Sequence, residues 1–330
     1  MSTRRTVNST PKGLTNRRHR GSSASVREAP SPLRPIICTR EHAPEWMTDN
    51  PFVYYGFRVH FQVFDCVLSL FRLHNETWNC WSHLLGMFLF LLTSWYTLAS
   101  PSFLFNLLAH EPVSYEFMDQ LVFLAAMVGF VICFTASTCF HCFGCCSESS
   151  ANRLLQLDYM GISVGIASCY LPAMRYAFYC IPHLQYLYIT IVVVYAVITL
   201  TLYCFPAFHG PRFAVGRILL FVGLVVFGFI PMTQWIRLRG LHSVEVQTFM
   251  WRVLLQYLLL LTGFLFYVSK FPERLLPRSR LTSLWIHSHL LWHLFVLLGM
   301  AGFLVVGLQY FAFVQHELLV NASYCVTVIS

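Results

Sequence analysis

Charge is what this chain has least of. Only 11% of its 330 residues are Asp, Glu, Lys or Arg, while 57% are hydrophobic and 16% aromatic. Water-soluble domains are usually about a quarter charged, so a soluble enzyme or a nucleic-acid-binding module is excluded and a membrane protein is expected. Lysine is nearly missing: Lys12 and Lys270 stand alone, and arginine supplies the rest of the net charge of +8. No internal repeat is visible. The 12 cysteines scatter over apolar runs without a regular disulfide framework and read as small buried side chains. The N-terminal 45 residues hold basic residues but no apolar core, so no signal peptide is expected.

Long apolar runs are present in their place. Seven runs of about 20 residues, the length a bilayer core demands, lie near 81–99, 121–143, 157–179, 184–205, 214–235, 250–269 and 288–312. The expected fold is an all-α integral membrane protein, a seven-transmembrane helix bundle occupying 80–312. Residues 1–60 read as an Arg/Ser/Pro-rich tail, mostly disordered because it lacks apolar surface to bury. Residues 61–74 place Phe64, Val67, Leu68 and Phe71 at helical spacing and predict an interfacial amphipathic helix. Residues 313–330 remain as a short tail. Pro172 and Pro231 mark kinks, and Gly161, Gly165, Gly223 and Gly228 mark close helix packing.

Orientation follows from the basic residues. With the N-terminus in the cytosol, 18 of the 22 Lys/Arg face the cytosol, eleven of them before residue 73. The exceptions are Arg175, Arg237, Arg239 and Arg252. The C-terminus is then lumenal or extracellular. Asn321 (Asn-Ala-Ser) faces the glycosylating side, whereas Asn8 and Asn75 do not. The basic tail suits an anionic membrane surface or an acidic partner.

This topology brings ionisable residues to one depth. His141 ends span two, Asp158 begins span three, and His289 and His293 lie in the first turns of span seven. His289 and His293 are four apart and share a helix face. Three imidazoles suit Zn²⁺ and leave one tetrahedral position open. Asp158 is then a partner of a water there, a general base or a fourth ligand. Ser137, four before His141, shares its face and reaches the same water or a substrate carbonyl. Such a set fits hydrolysis of a lipid ester or amide. The plain alternative for each histidine is a hydrogen-bonded helix contact. His287 lies off the shared face and reads as interfacial. His74 and His83 lack paired spacing. Cys145 and Cys146, just past span two, are palmitoylation candidates.

The same residues carry a family resemblance. Segment 75–86 (NETWNCWSHLLG), Ser137-x-x-x-His141, Leu157-Asp158-Tyr159 and Ser288-His289-x-x-x-His293 resemble the progestin and adipoQ receptor family over roughly 46–312. Segments 49–58, 161–165, 177–180 and 266–274 are most similar to a Golgi-resident, Raf-kinase-trapping branch. The resemblance implies zinc held by His141, His289 and His293, with Asp158 and Ser137 beside it. It also implies a Golgi membrane location, with the plasma membrane as alternative. The implied role is a receptor or tether that holds a cytosolic Raf-type kinase through the N-terminal tail and dampens growth-factor signalling through the MAP kinase cascade. Other members imply ceramidase-like lipid amide hydrolysis, or a lipid, steroid or adiponectin-type receptor. The tail at 1–40 has no counterpart in the family.

Overall fold

The computed structural model describes residues 34–100, 115–209, 211–321 and 323–326. Asn8 and the tail at 1–33 lie outside them. The described residues form one compact unit. They contain seven helices long and apolar enough to cross a membrane: α2 (Thr77–Ala99), α3 (Phe117–Phe143), α4 (Glu148–Ala177), α5 (Pro182–Tyr203), the pair α6 (Ala214–Phe227) and α7 (Phe229–Arg239), α8 (Val244–Ser269), and α10 (Ser288–Val320). A short α1 (Val63–Ser69) precedes them, and α9 (Arg280–Leu284) lies before α10. The protein is a multi-pass, seven-span, all-α membrane protein.

Every expected span is present, but three overrun their apolar windows. Helix α3 begins at Phe117, behind a capping box in which Glu116 N–H donates to Asp119 Oδ2. Helix α4 begins at Glu148, because the Ser147 side chain caps Ser150 N–H. Helix α10 continues to Val320, so residues 313–320 are helix rather than tail. Pro172 sits inside continuous α4, whereas the fifth span breaks at Gly228, three residues before Pro231. Tyr170 Oη–H donates to Leu224 O beside that break, supplying a partner where helical bonding is interrupted.

Helix α10 runs through the bundle against α2, α4 and α8, and α2 to α5 pack in sequence. The core is aromatic: Phe90, Phe123, Phe130, Phe134, Tyr176 and Phe311 are almost fully buried. At Gly161 a Cβ would lie 3.2 Å from Cys133 Cα, so the glycine lets α4 lie close on α3. The outward faces carry apolar residues such as Leu92, Trp95, Val194 and Leu258, which suits lipid as solvent.

Residues 34–60 differ from the disordered tail expected. Strand β1 (Ile36–Thr39) pairs antiparallel with β2 (Tyr55–Val59), Ile36 opposite Val59 and Cys38 opposite Phe57. The aromatic and β-branched residues suit a pleated surface. Two strands alone are marginal, and this pair gains its stability by docking on the bundle. Asn50 Nδ2 donates to Glu273 Oε1 (2.9 Å), Tyr54 N–H to Ser283 Oγ (3.0 Å), and Asn75 N–H to Gly56 O (3.2 Å). In α1, Phe64, Val67 and Leu68 point outward with Phe71 just beyond, while Cys66 and Ser69 face the bundle. The folded segment 34–69 thus forms a cap over one end of the helices.

Candidate metal centre

Three helix ends meet under this cap. His141 lies in the last turn of α3, and His289 and His293 lie in the first two turns of α10. One imidazole nitrogen from each falls within 4.8 Å of the other two, the one group found among the described residues that could hold a metal ion. His141 Nε2 and His289 Nε2 are 3.2 Å apart. Two nitrogens on one tetrahedral ion with bonds of ~2.0–2.1 Å lie about 3.3 Å apart.

Hydrogen bonds turn the free lone pairs inward. His141 Nδ1–H donates to Glu76 Oε2 at 2.7 Å, leaving Nε2 to a ligand. His293 Nδ1–H donates to Asn79 O at 3.3 Å, with Ser82 Oγ at 3.1 Å, again leaving Nε2. Asn79 Nδ2 donates to Glu76 Oε2 at 2.6 Å, and Asn75 Nδ2 to Oε1 at 3.3 Å. A carboxylate–imidazole pair of this kind fixes tautomer and ring orientation and raises ligand basicity. The donor set therefore fits a metal ion.

Glu76, the residue before α2, was not singled out by sequence reasoning. The available signal was a carboxylate at the head of the first span, at the same depth as the histidines. His83 was set aside for want of spacing, yet it stacks on His293 at 3.7 Å between ring centroids, with 10° between planes. It is buried, and neither ring nitrogen has a partner. His287 is not interfacial: it is buried, caps α10 by accepting from Leu290 N–H (3.3 Å), and donates Nε2–H to Asn75 O (3.2 Å). Glu273, fully buried, accepts from Ser288 N–H at 2.7 Å and from the Ser288 hydroxyl. It holds the start of α10, where its charge also complements the helix dipole.

The histidines occupy the polar end of a cavity of about 830 Å³. Ser137 and Asp158 line it beside them. Both are buried, and the Ser137 hydroxyl lies against the Asp158 carboxyl. The far wall is apolar, with Ile162, Phe221, Val225, Leu261 and Phe264, and the cap contributes Trp46, Asp49 and Arg58. Burial draws the Lys270 ammonium at the rim down from its usual value, while Glu273 and Asp49 hold it up. The five residues expected to form the site thus share one cavity.

At the opposite end of the helices lies a feature that sequence reasoning missed, a disulfide between Cys180 and Cys325, 145 residues apart. Nearby, Arg239 pairs with Glu245 at 3.2 Å, both side chains buried, and stacks over Tyr324 at 4.2 Å. Arg239 is thus engaged within the protein. Cys145 and Cys146 are half-buried with their sulfurs against Cys66, and Asn321 is exposed at the C-cap of α10.

A seven-helix bundle with a three-histidine centre at one end defines a class of membrane protein. Residues 71–304 match the family described as haemolysin-III related, and the chain belongs to it. Within that class it is a member of the progestin and adipoQ receptor family. It is 35% identical to Progestin and adipoQ receptor family member 3 of Mus musculus over 259 residues, 78% of this chain and 80% of that protein. The Homo sapiens protein of the same name is also 35% identical, over the same shares. Heptahelical transmembrane protein 1 of Arabidopsis thaliana is 28% identical over 83% of this chain and 80% of that protein.

Proposed function

We propose that this chain is a zinc-binding seven-span regulator of the Golgi membrane. Its cytosolic N-terminal segment holds a Raf-type kinase and so dampens growth-factor signalling through the MAP kinase cascade. The observation that carries the metal assignment is the convergence of His141, His289 and His293, with Nδ1 of His141 and of His293 tied to protein acceptors. Neutral imidazoles in a tripod suit zinc above harder divalent ions. Zinc held by these three residues would supply Lewis acidity. Glu76 and Asn79 orient the imidazoles, and Glu273 fixes the helix end that presents two of them.

Two independent features support a cytosolic N-terminus. The basic residues cluster at the cap end. The disulfide Cys180–Cys325 lies at the other end, whereas Cys66, Cys80, Cys142, Cys145 and Cys146 at the cap end are free thiols. Disulfides form in oxidising compartments and thiols persist in the cytosol. Asn321 then faces the lumen.

The kinase partner and the Golgi location rest on similarity to the family's Raf-trapping branch. The test is capture of a Raf-type kinase by the full chain, by a deletion of residues 1–72 whose helices remain folded, and by His293→Ala. Capture lost on deletion and kept in His293→Ala is expected. A full chain that retrieves no kinase refutes the tether.

A second reading, a zinc-dependent lipid amide hydrolase of the ceramidase type, is favoured by one observation: Ser137 and buried Asp158 lie together beside the histidines, at the polar end of an apolar cavity. In that reading Ser137 positions the scissile carbonyl and Asp158 takes or gives the proton. Fatty-acid release from ceramide by the pure protein, abolished in Asp158→Asn, tests it.

A further inference from the structure

Outside the histidine centre, five free thiols gather between the cap and the bundle. Cys66 comes from α1, Cys80 from α2 and Cys142 from the end of α3, and Cys145 and Cys146 lie in the turn Gly144–Cys146 that follows. Cys66 Sγ lies 3.4 Å from Cys145 Sγ and 3.5 Å from Cys146 Sγ. Cys66 has no exposed surface, while Cys145 and Cys146 are half-buried.

Buried cysteines are ordinarily small apolar fillers, and Cys80 and Cys142, packed under Phe61, fit that description. The other three differ in that Cys145 and Cys146 reach the surface, and two observations bear on them. Their sulfurs are already in contact, so about 1.4 Å of approach reaches the ~2.0 Å of a disulfide. Beside them lies the Arg58 guanidinium, 2% exposed and within electrostatic reach of Cys66, Cys80 and Cys145. Arg58 donates to Ser69 Oγ (2.9 Å), Cys142 O (3.0 Å) and His141 O (2.5 Å), yet its Nε–H has no partner. A cation with a spare donor favours thiolate over thiol.

We propose that Cys66 and the Cys145–Cys146 pair form an oxidisable dithiol that a hydroperoxide converts to a disulfide. The half-buried thiolate of Cys145 or Cys146 attacks a peroxide oxygen. The S–O bond forms, the O–O bond breaks, and the leaving hydroxide takes a proton to become water. The deprotonated sulfur of Cys66 then attacks the sulfenic sulfur. The S–S bond forms, the S–O bond breaks, and the second hydroxide leaves as water with the proton that Cys66 gave up. Two thiols and one hydrogen peroxide give one disulfide and two waters, the sulfurs losing the two electrons that the peroxide gains.

Cys66 is central to both contacts, so either neighbour can react first and the same buried thiol resolves it. The new bond ties α1, and with it the cap, to the turn directly after His141. Arg58 spans that junction already through the carbonyls of His141 and Cys142. The site is on the face that the proposed orientation gives to the cytosol, where thiols rest reduced and a disulfide is a transient state. The linkage itself does not depend on orientation or on metal, and its failure leaves both untouched.

The test uses the full chain, reduced, reconstituted in nanodiscs and titrated with hydrogen peroxide. Remaining thiols are alkylated in denaturant, and the digest is read by mass spectrometry. Peptides joining Cys66 to the Cys145–Cys146 segment are expected before any change at Cys204, an exposed thiol away from the cluster, and dithiothreitol should reverse them. In Cys66→Ser a dimedone adduct at Cys145 or Cys146 should replace the link. Oxidation of Cys204 ahead of any Cys66 link overturns the proposal. So does a thioester-bound acyl chain found on both Cys145 and Cys146.

Discussion

Glu76 and His141 meet carboxylate to imidazole at 2.7 Å, and this contact joins the start of the first span to the end of the second. It orients one of the three converging imidazoles. Glu76→Gln keeps the shape but loses the charge, so metal affinity should fall roughly 10- to 100-fold. Competition with a chelating dye measures it. An unchanged affinity would mean that His141 needs no orienting partner.

The buried His74 predicts how the cap responds to pH. Its Nε2–H donates to Ser69 O (3.1 Å) and its Nδ1 accepts from Glu76 N–H (3.1 Å), which is the neutral ring. Burial, with Arg58 adding to it, lowers its pKa from 6.5 to about 3. The native state therefore binds fewer protons than the unfolded state between those values. Stability is fully present above 6.5 and falls toward 3, by up to about 1.4 kcal/mol per pH unit. Thermal unfolding at pH 7.5 and 5.5 should differ in the wild type by more than in His74→Asn.

Gly56 holds β2 against the head of α2. Its φ is +94°, and a Cβ there would lie 2.5 Å from Asn75 N. Gly56→Ala should destabilise the cap by about 1–3 kcal/mol. Hydrogen exchange across 36–59 should quicken, while the helices α3 to α8 stay protected.

At the far end, Arg239 and Glu245 form a buried pair that also binds Trp235, Tyr310 and Tyr324 through Glu245. Arg239→Met alone leaves a buried carboxylate unpaired and should cost about 3–5 kcal/mol. Adding Glu245→Gln should restore much of it. A double variant as unstable as the single would show that the charge pair is not the source of the loss.

The seven spans were legible because a bilayer asks for long apolar runs, and counting them placed His141, Asp158, His289 and His293 at one depth. Helix ends were less legible. The first turns of α4 are polar and lie outside any apolar window, though Ser147 marks their start. The cap was hidden because its strands are short and 15 residues separate Thr39 from Tyr55. Its fold depends on Glu273 and Ser283, which no local pattern connects to Asn50 and Tyr54. The Cys180–Cys325 pairing is likewise a long-range fact. Glu76 was overlooked because it sits in a polar stretch rather than interrupting an apolar one.

The central claim is a metal held by three histidines, and metal analysis of the purified protein tests it most directly. The wild type, prepared without chelator, should carry one zinc per chain, and His141→Ala/His289→Ala/His293→Ala should carry none. Wild-type protein that is folded, offered zinc and still free of it would contradict the account.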